Sequence, residues 1–217
     1  MPYKINVPYS EKDTAKAVGA FWDNASKTWY IPDHKHFNDF LKWINIKDIS
    51  IILKAPYYLG LNKRECWKCS KETTVISLYS DNFYKYNDDD DTDEPAFHPV
   101  DSKSFVYSLA FIEPDVANFI HKEFQFYKLG YSKMADSTYW ANHCEHCKVI
   151  QGDFHLHEEP DGAFCPIDEE SCKKLTLIEM PFTYDLGLDG AFSYSSNEDE
   201  IFELAKKVKW ENFKENK

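Results

Sequence analysis

In the first 46 residues, apolar side chains recur at the short intervals that are typical of a small folded unit. An alternating run at residues 4–7 predicts a strand, and the polar stretch that ends at Gly19 predicts a helix after it. Two β-prone runs flank the turn-forming segment 23–27 and predict a hairpin. Apolar side chains then recur every three or four residues from about His34 to Trp43, which predicts a second helix packed on the hairpin.

From residue 47 onward the pattern predicts mainly strands. Strands are expected at 49–53, 73–79, 104–109, 175–180 and 190–194. Helices are expected from Pro114 to about Lys128, as a short piece within 149–160, and after a cap at Asn197 through Val208. Residues 47–65 are too apolar for a free linker. We therefore expect an α+β protein in which a strand-helix-hairpin-helix module, residues 1–46, docks on a larger α+β domain, residues 47–217.

Two Cys-x-x-Cys pairs lie far apart in the chain, and their members are Cys66, Cys69, Cys144 and Cys147. Each such loop supplies two thiolates to one ion, so together the pairs have the ligand number of a tetrahedral zinc site. Four thiolates leave no coordination position for water, which favours one structural Zn²⁺ per chain. The larger domain is therefore expected to be centred on a zinc ribbon, with an insertion at residues 80–140.

Other chemistry near the cysteines stays open at this point. Iron could be held by the same four thiolates, whereas a redox dithiol would leave the matching of the two pairs unexplained. Four histidines crowd the second pair: His143, His146, His155 and His157. They are either ligands of a second or open metal site, or solvated and hydrogen-bonded side chains. Cys165 and Cys172 have no partner motif and are interpreted as ordinary thiols.

Charge is unevenly distributed along this chain, whose net charge is -12. Residues 1–80 hold twelve Lys or Arg against eight Asp or Glu, whereas residues 151–203 hold two against fourteen. An acidic surface repels phosphate, so nucleic-acid contacts are expected only in the N-terminal part or beside the cysteine pairs. The acidic runs instead suit a basic protein partner. The run at 87–95 lacks the glycine and the distal glutamate of a helix-loop-helix calcium site.

Several classes of protein are disfavoured because the sequence lacks their characteristic segments or motifs. The sequence contains no run of about 18 apolar residues, so no membrane span is predicted. Its start lacks the pattern of a secretion signal, and the cytoplasm is therefore the expected compartment. There is no phosphate-binding glycine loop, no G-x-S-x-G and no H-E-x-x-H in the sequence. Whether the chain is an enzyme stays uncertain, and a binding protein is the stronger expectation, with a metal-dependent hydrolase ranked third.

A distinctive string, NVPYSEKDTAKAVGAFWDNASKTWYIP, occupies residues 6–32. It resembles a small domain of unknown function that is appended to plasmid primases and other DNA-processing proteins of bacteria and phages. The resemblance implies an association with nucleic-acid metabolism and supplies no catalytic residue.

The same module offers a candidate binding face made of Lys12, Lys16, Trp22, Lys27, Trp29 and Tyr30. Exposed rings there would stack on unpaired bases while the lysines meet phosphates. The alternative is that so small a module needs its large aromatics for a core. Because side chains alternate along strands, the rings can also be divided between the two roles.

The stretch 139–166 places the second cysteine pair before Gln151, Gly152 and Asp153. It is similar to uncharacterised bacterial zinc-ribbon proteins. The leading interpretation is a non-enzymatic, zinc-stabilised binding module that acts beside bacterial or mobile-element nucleic-acid processing. Its partner would be single-stranded nucleic acid or a nucleic-acid-processing protein. The alternative is an acidic interaction or inhibitor protein, of immunity or anti-defence type, that covers a basic partner surface.

Overall fold

The computed structural model describes residues 1–33, 35–87, 95–193 and 198–215, without the side chain of Glu198. The acidic run at 88–94, the start of the expected second helix at His34 and the expected helix cap at Asn197 lie outside these ranges. Over the described residues the protein is a mixed α+β fold made mostly of strands.

The N-terminal unit contains a three-stranded antiparallel sheet. Strand β1 (Tyr3–Ile5) pairs with β3 (Thr28–Ile31), which also pairs with β2 (Phe21–Asp23). Helix α1 (Lys12–Val18) ends at Gly19, whose φ of 108° is a left-handed conformation that glycine adopts without strain.

The second helix of this unit, expected from about His34 to Trp43, is a 3₁₀ helix over Phe37–Trp43. Phe37, Phe40 and Trp43 are all buried and are spaced three residues apart. A helix with three residues per turn places all of them on one face, whereas an α-helix would rotate them apart.

The N-terminal unit packs directly on the rest of the chain. The ring of Phe37 contacts the rings of Tyr84 and Phe97, with centroids 4.9 and 6.0 Å away. The side chain of Asn38 donates to the carbonyl of Phe97 at 3.2 Å and accepts from its N–H at 2.7 Å. One apolar cluster includes residues of both parts, so the two share a core.

Charged groups are also buried where the two parts meet. Asp185 is fully buried and accepts from Lys54 Nζ at 2.7 Å. Lys4 pairs with Asp115 and also lies over the ring of Tyr184. Burial raises the pKa of Glu113 to about 7, although the N–H of Gly187 partly offsets the effect. This junction is therefore sensitive to the protonation state of Glu113.

The main sheet contains the remaining strands. They are β4 (Ile51–Leu53), β5 (Tyr58–Glu65), β6 (Glu72–Ser80), β7 (Phe83–Asn87), β8 (Ala96–Val100), β9 (Ser104–Ile112), β10 (Tyr127–Ser132), β11 (Ser137–Asn142), β12 (Thr176–Glu179), β13 (Leu186–Phe192) and β14 (Lys206–Lys209). Over the described ranges their order is β14-β12-β5-β6-β9-β13-β4-β7-β8, and the β10–β11 hairpin joins at β9. The helices are α2 (Pro114–Glu123), α3 (Asp153–His157), α4 (Glu169–Lys173), α5 (Glu198–Leu204) and α6 (Trp210–Glu215).

Strand β9 changes partner along its length. Its start pairs with β6, where Val106 lies opposite Leu78, and its later part pairs with β11, where Leu109 lies opposite Trp140. The change falls at Ser108, whose φ is 52°. The other edge of β9 pairs with β13. The segment between the cysteine pairs, where an insertion is expected at 80–140, therefore supplies a central strand of the sheet.

Two helix boundaries differ from the prediction. Helix α2 ends at Glu123 because the chain turns and begins β10 at Tyr127, so Gly130 lies inside a strand. Val208 lies in β14, parallel to β12 and opposite Ile178, so the helix expected to run through Val208 ends as α5 at Leu204. Tertiary pairing overrides the helical pattern there. No helix among the described residues is long and apolar enough to cross a membrane.

Candidate metal centre

The four cysteines of the two pairs come together in space. The sulfurs of Cys66 and Cys147 are 3.6 Å apart, and those of Cys69 and Cys144 are 3.7 Å apart. All four sulfurs lie within 4.8 Å of one another. Four thiolates at about 2.3 Å from one zinc ion would be about 3.8 Å apart. The cluster therefore has the dimensions of a four-thiolate site that can hold a metal ion.

Each pair lies in a tight turn of the same design. The N–H of Cys66 donates to the carbonyl of Lys71 at 2.9 Å, and the N–H of Cys144 donates to that of Val149 at 2.8 Å. The residue after each second cysteine, Ser70 or Lys148, has a positive φ of 54° or 63°. The first turn closes the β5–β6 hairpin and the second follows β11. Two separate strand pairs therefore aim their turns at one point.

Side chains connect the two turns beside the sulfurs. Glu145 accepts from the N–H of Thr74 at 2.9 Å, and its own N–H donates to the hydroxyl of Thr73 at 3.0 Å. The indole N–H of Trp67 donates to the carbonyl of Ile150 at 2.8 Å. These bonds join residues more than 70 positions apart, so the turns are held together by contacts besides any metal.

Two buried side chains bond backbone groups that lose their strand–strand hydrogen bonds where β9 separates from β6. Continuing the register would place Ser108 opposite Ile76. Instead, the side chain of Asn142 bonds both backbone groups of Ile76, each at 2.8 Å. The N–H of Ser108 donates to the carboxylate of Asp153 at 2.6 Å. Asn142 and Asp153 lie on either side of the second cysteine pair, so the fold of the sheet and the position of that pair depend on each other.

Polar groups favour the thiolate at Cys66 and Cys144. At Cys69 the N–H of Lys71 lowers the pKa, but burial and the neighbouring thiols raise it to about 11. Burial raises the pKa of the Cys66 thiol, but the N–H groups of Lys68 and Cys69 and the amide of Gln151 lower it to about 6. Hydrogen bonds from N–H groups, including that of His146, also lower the pKa of Cys144 despite its burial. A metal binds the thiolate, so this donor set suits a cation.

The nearby histidines lie outside the four-sulfur cluster. His143 faces the carbonyls of Ala141 and Phe126 at 3.0 and 3.2 Å, and His146 faces the carbonyl of Glu72 at 3.0 Å. His155 pairs with Glu159 at 2.8 Å. His157 is buried between aromatic rings, and burial lowers its pKa to about 3. Among the described residues, the cysteines form the one group that has the geometry of a metal site.

The two remaining cysteines have raised thiol pKa values, unlike activated cysteines. Burial raises the pKa of Cys165. Burial also raises the pKa of Cys172, and the carboxylates of Glu200, Asp168 and Glu169 add to the effect. Both thiols are therefore protonated near neutral pH.

The six residues of the candidate N-terminal face do not share one surface. Trp29 and Tyr30 are buried, whereas Trp22 is 40% exposed. Trp22 pairs with Trp29 and Phe21 pairs with Tyr30 across the hairpin, so these two pairs lie on opposite sides of the sheet. The structure thus divides the aromatics between core and surface.

The lysines of that face have different surroundings. Lys16 is exposed, and its Nζ lies 5.9 Å from the centre of the Trp29 ring. Lys12 instead donates to the hydroxyl of Tyr9 at 3.0 Å. Lys27 is exposed in the hairpin turn, with a φ of 55°. Lys16 is thus on the same side of the unit as the Trp22 and Trp29 pair.

The roles of several residues at these sites do not follow from local sequence patterns. Asp153 belongs to the Gln151-Gly152-Asp153 element of the 139–166 resemblance, but the bonds that Asn142 and Asp153 make depend on the partner change of β9. Phe21 is 42% exposed and precedes Trp22, and the alternation of a strand was the one clue that the two point in opposite directions.

Comparisons with known proteins match the N-terminal unit. A family model described as a domain of unknown function, DUF5710, matches residues 3–45. Two Escherichia coli proteins described as DNA primase TraC are 51% and 46% identical to this chain over 39 residues. Those residues are 18% of this chain and only 3% and 4% of the two primases. No solved structure matches. The resemblance of the N-terminal module is confirmed, and the zinc-ribbon resemblance of residues 139–166 stays a prediction.

Proposed function

We propose that the chain is a non-enzymatic, zinc-stabilised binding protein that acts beside the nucleic-acid-processing machinery of bacteria or mobile elements. The observations that carry this proposal are the match of residues 3–45 to DUF5710 and the similarity of 39 residues to DNA primase TraC. In this proposal that segment contributes recognition. A cytoplasmic location stays a prediction.

In this proposal the four cysteines hold one structural zinc ion per chain. Two hairpin-like turns that present two thiolates each are typical of a zinc ribbon. With Cys66, Cys69, Cys144 and Cys147 all bound, no position is open for a substrate or a water molecule. The ion would fix the turns and supply no reaction. Iron bound by the same thiolates is distinguished by its absorption spectrum.

The proposed binding face of the N-terminal unit is the edge strand β2 with its neighbouring lysines. Trp22 offers an exposed ring, and Lys16 and Lys27 offer exposed positive charge. Stacking on an aromatic ring together with phosphate contacts to lysine is the usual basis of single-strand binding. Trp29 would act as the ring that supports Trp22, since their centroids are 5.6 Å apart.

Fluorescence anisotropy with a labelled single-stranded oligonucleotide at low salt tests this proposal. We expect Trp22→Ala and Lys16→Ala each to weaken binding at least five-fold. Lys47→Ala replaces an exposed lysine outside the proposed face and serves as the matched control. No binding by the unmodified protein, or equal binding by all three variants, would contradict the proposal.

A second candidate function is the acidic interaction protein, and one surface favours it. Helices α4 and α5 lie side by side and carry exposed carboxylates at Glu169, Glu170, Glu200 and Glu203. A basic partner would be attracted to that surface. Co-purification of a basic protein, lost when Glu169 and Glu170 are both changed to Gln, would support this candidate over the first.

A further inference from the structure

A groove lies beside the second cysteine pair, on the side facing the β10–β11 hairpin. It encloses about 700 Å³ and is lined by the side chains of Trp67, Tyr131, Met134, Lys133, Lys148 and Ile150, among others. That volume is within the usual range of ligand sites. The groove shares no residue with the N-terminal unit.

Gly130 lines the groove and allows strand β10 to lie close to the second cysteine turn. A Cβ on Gly130 would lie 2.9 Å from His143 Cε1 and 3.0 Å from Ile150 Cδ1, closer than side chains normally approach. A side chain at residue 130 would therefore require the ring of His143 or the end of the Ile150 side chain to move away. With glycine there, the wall that carries Tyr131 lies next to the turn.

Two large rings border the groove without being buried. Trp67 is 62% exposed and Tyr131 is 56% exposed. Each is nevertheless anchored by its polar atom, Trp67 to the carbonyl of Ile150 at 2.8 Å and Tyr131 to the carboxylate of Asp136 at 2.5 Å. Anchored rings lose little conformational entropy when a flat ligand stacks on them. Their faces are exposed beside the groove, where they are available to stack on a ligand.

The charge of the groove is opposite to that of the whole protein. Lys133 and Lys148 line it, and none of the lining residues that the structure describes is Asp or Glu. The chain as a whole carries a net charge of -12. A polyanion repelled elsewhere can therefore approach here. The combination of flat exposed rings with lysines fits a chain that alternates bases and phosphates.

We propose that this groove binds single-stranded nucleic acid, with bases stacked on Trp67 and Tyr131 and phosphates at Lys133 and Lys148. The inference rests on the proposed function and assigns to it a second contact surface next to the metal centre. Because Trp67 lies between Cys66 and Cys69, ordering of the first turn also orders one of the two stacking rings.

Binding by variants of the zinc-loaded full chain tests the groove. Using a labelled twelve-nucleotide oligothymidylate in anisotropy titrations, we expect Tyr131→Ala to weaken binding at least five-fold. Leu129→Ala is the matched control, since Leu129 is 52% exposed on the same strand but does not line the groove. It should change affinity less than two-fold. Lys133→Ala should lower the slope of log affinity against log salt by about 0.7.

Photocrosslinking with a bromodeoxyuridine oligonucleotide then locates the contact. Trypsin cuts after Arg64, Lys68, Lys128 and Lys133, so adducts in peptides 65–68 or 129–133 would support the groove. Equal binding by Tyr131→Ala and Leu129→Ala, with loss of binding in Trp22→Ala, would overturn the groove and leave the proposed function standing. No binding by the unmodified protein at low salt would overturn both.

Discussion

Replacing Asn142 by alanine tests how the sheet is joined to the metal centre. Asn142 is 2% exposed, and its amide bonds the N–H and the carbonyl of Ile76 at the point where β9 leaves β6. Alanine has no amide group, so the N–H and the carbonyl of Ile76 both lose their hydrogen-bond partner. Two buried backbone groups of β6 then have no partner.

The size of the effect follows from those two groups. A buried donor or acceptor without a partner costs about 1–3 kcal/mol, so the variant should lose about 2–6 kcal/mol of unfolding free energy. Domains are stable by only about 5–15 kcal/mol in total. Asn142→Asp keeps an acceptor for the N–H of Ile76 but points a carboxylate at its carbonyl. Burial would raise the pKa of that carboxyl, so its destabilisation should grow as pH rises through the raised value.

Urea denaturation of the zinc-loaded protein, followed by tryptophan fluorescence, measures these differences. Asn45→Ala is the matched control, because Asn45 is exposed and bonds only to Asp48 at 2.6 Å. It should change stability by about 0.5 kcal/mol or less. A loss below about 1 kcal/mol in Asn142→Ala would refute the role assigned to this side chain.

Four further variants report on other parts of the fold. Glu113 is more strongly protonated in the folded state, because burial raises its pKa from 4.5 to about 7, so wild-type stability should fall as pH rises from about 4.5 to 7. Glu113→Gln should show a flatter urea-midpoint profile over that range, and identical profiles would contradict this. Trp29→Ala should cost about 3–5 kcal/mol in urea denaturation, while exposed Trp22→Ala should cost about 1 kcal/mol or less. Equal losses would contradict their placement. Gly130→Ala should lower the thermal midpoint by crowding His143, and an unchanged midpoint would contradict the close approach.

The local patterns predicted the N-terminal unit well, because its strands, turn and first helix depend on neighbours in sequence. Gly19 ends its helix as expected, and the hairpin turn lies at the predicted residues. The second helix was also expected, but its 3₁₀ type was not, because apolar residues at three- and four-residue intervals fit either period. Only the packing of Phe37, Phe40 and Trp43 on one face distinguishes the two periods.

The centre of the protein was predicted in one respect and missed in another. Cys-x-x-Cys spacing identified the four cysteines that the structure brings together, since ligand spacing in a tight turn is a local property. The position of β9 between β6 and β13 depends on long-range pairings, those with β13 spanning more than 70 residues, and sequence periodicity carries no such information. Asn142 and Asp153 have their roles only because of that pairing. For the same reason, we wrongly expected Val208 to lie in a helix.

The sequence suggested a binding face but could not divide it into core and surface. Trp29 has an aromatic ring of the kind that stacks on bases, yet it is only 9% exposed. A variant at Trp29 would therefore report mainly on folding. Trp22, Trp67 and Tyr131 are the aromatic positions at which a loss of binding would be informative, because their exposed rings can change without opening the core.

Metal content combined with X-ray absorption tests the central claim most directly. Purified full chain should contain one zinc ion per molecule, with four sulfur ligands at about 2.3 Å and no nitrogen or oxygen ligand. Cys144→Ser should lose the ion or show an oxygen in its place, whereas Cys165→Ser should keep the native spectrum. A metal-free chain that is folded, a zinc ion with histidine or water in its coordination sphere, or two ions per chain would contradict a closed structural site.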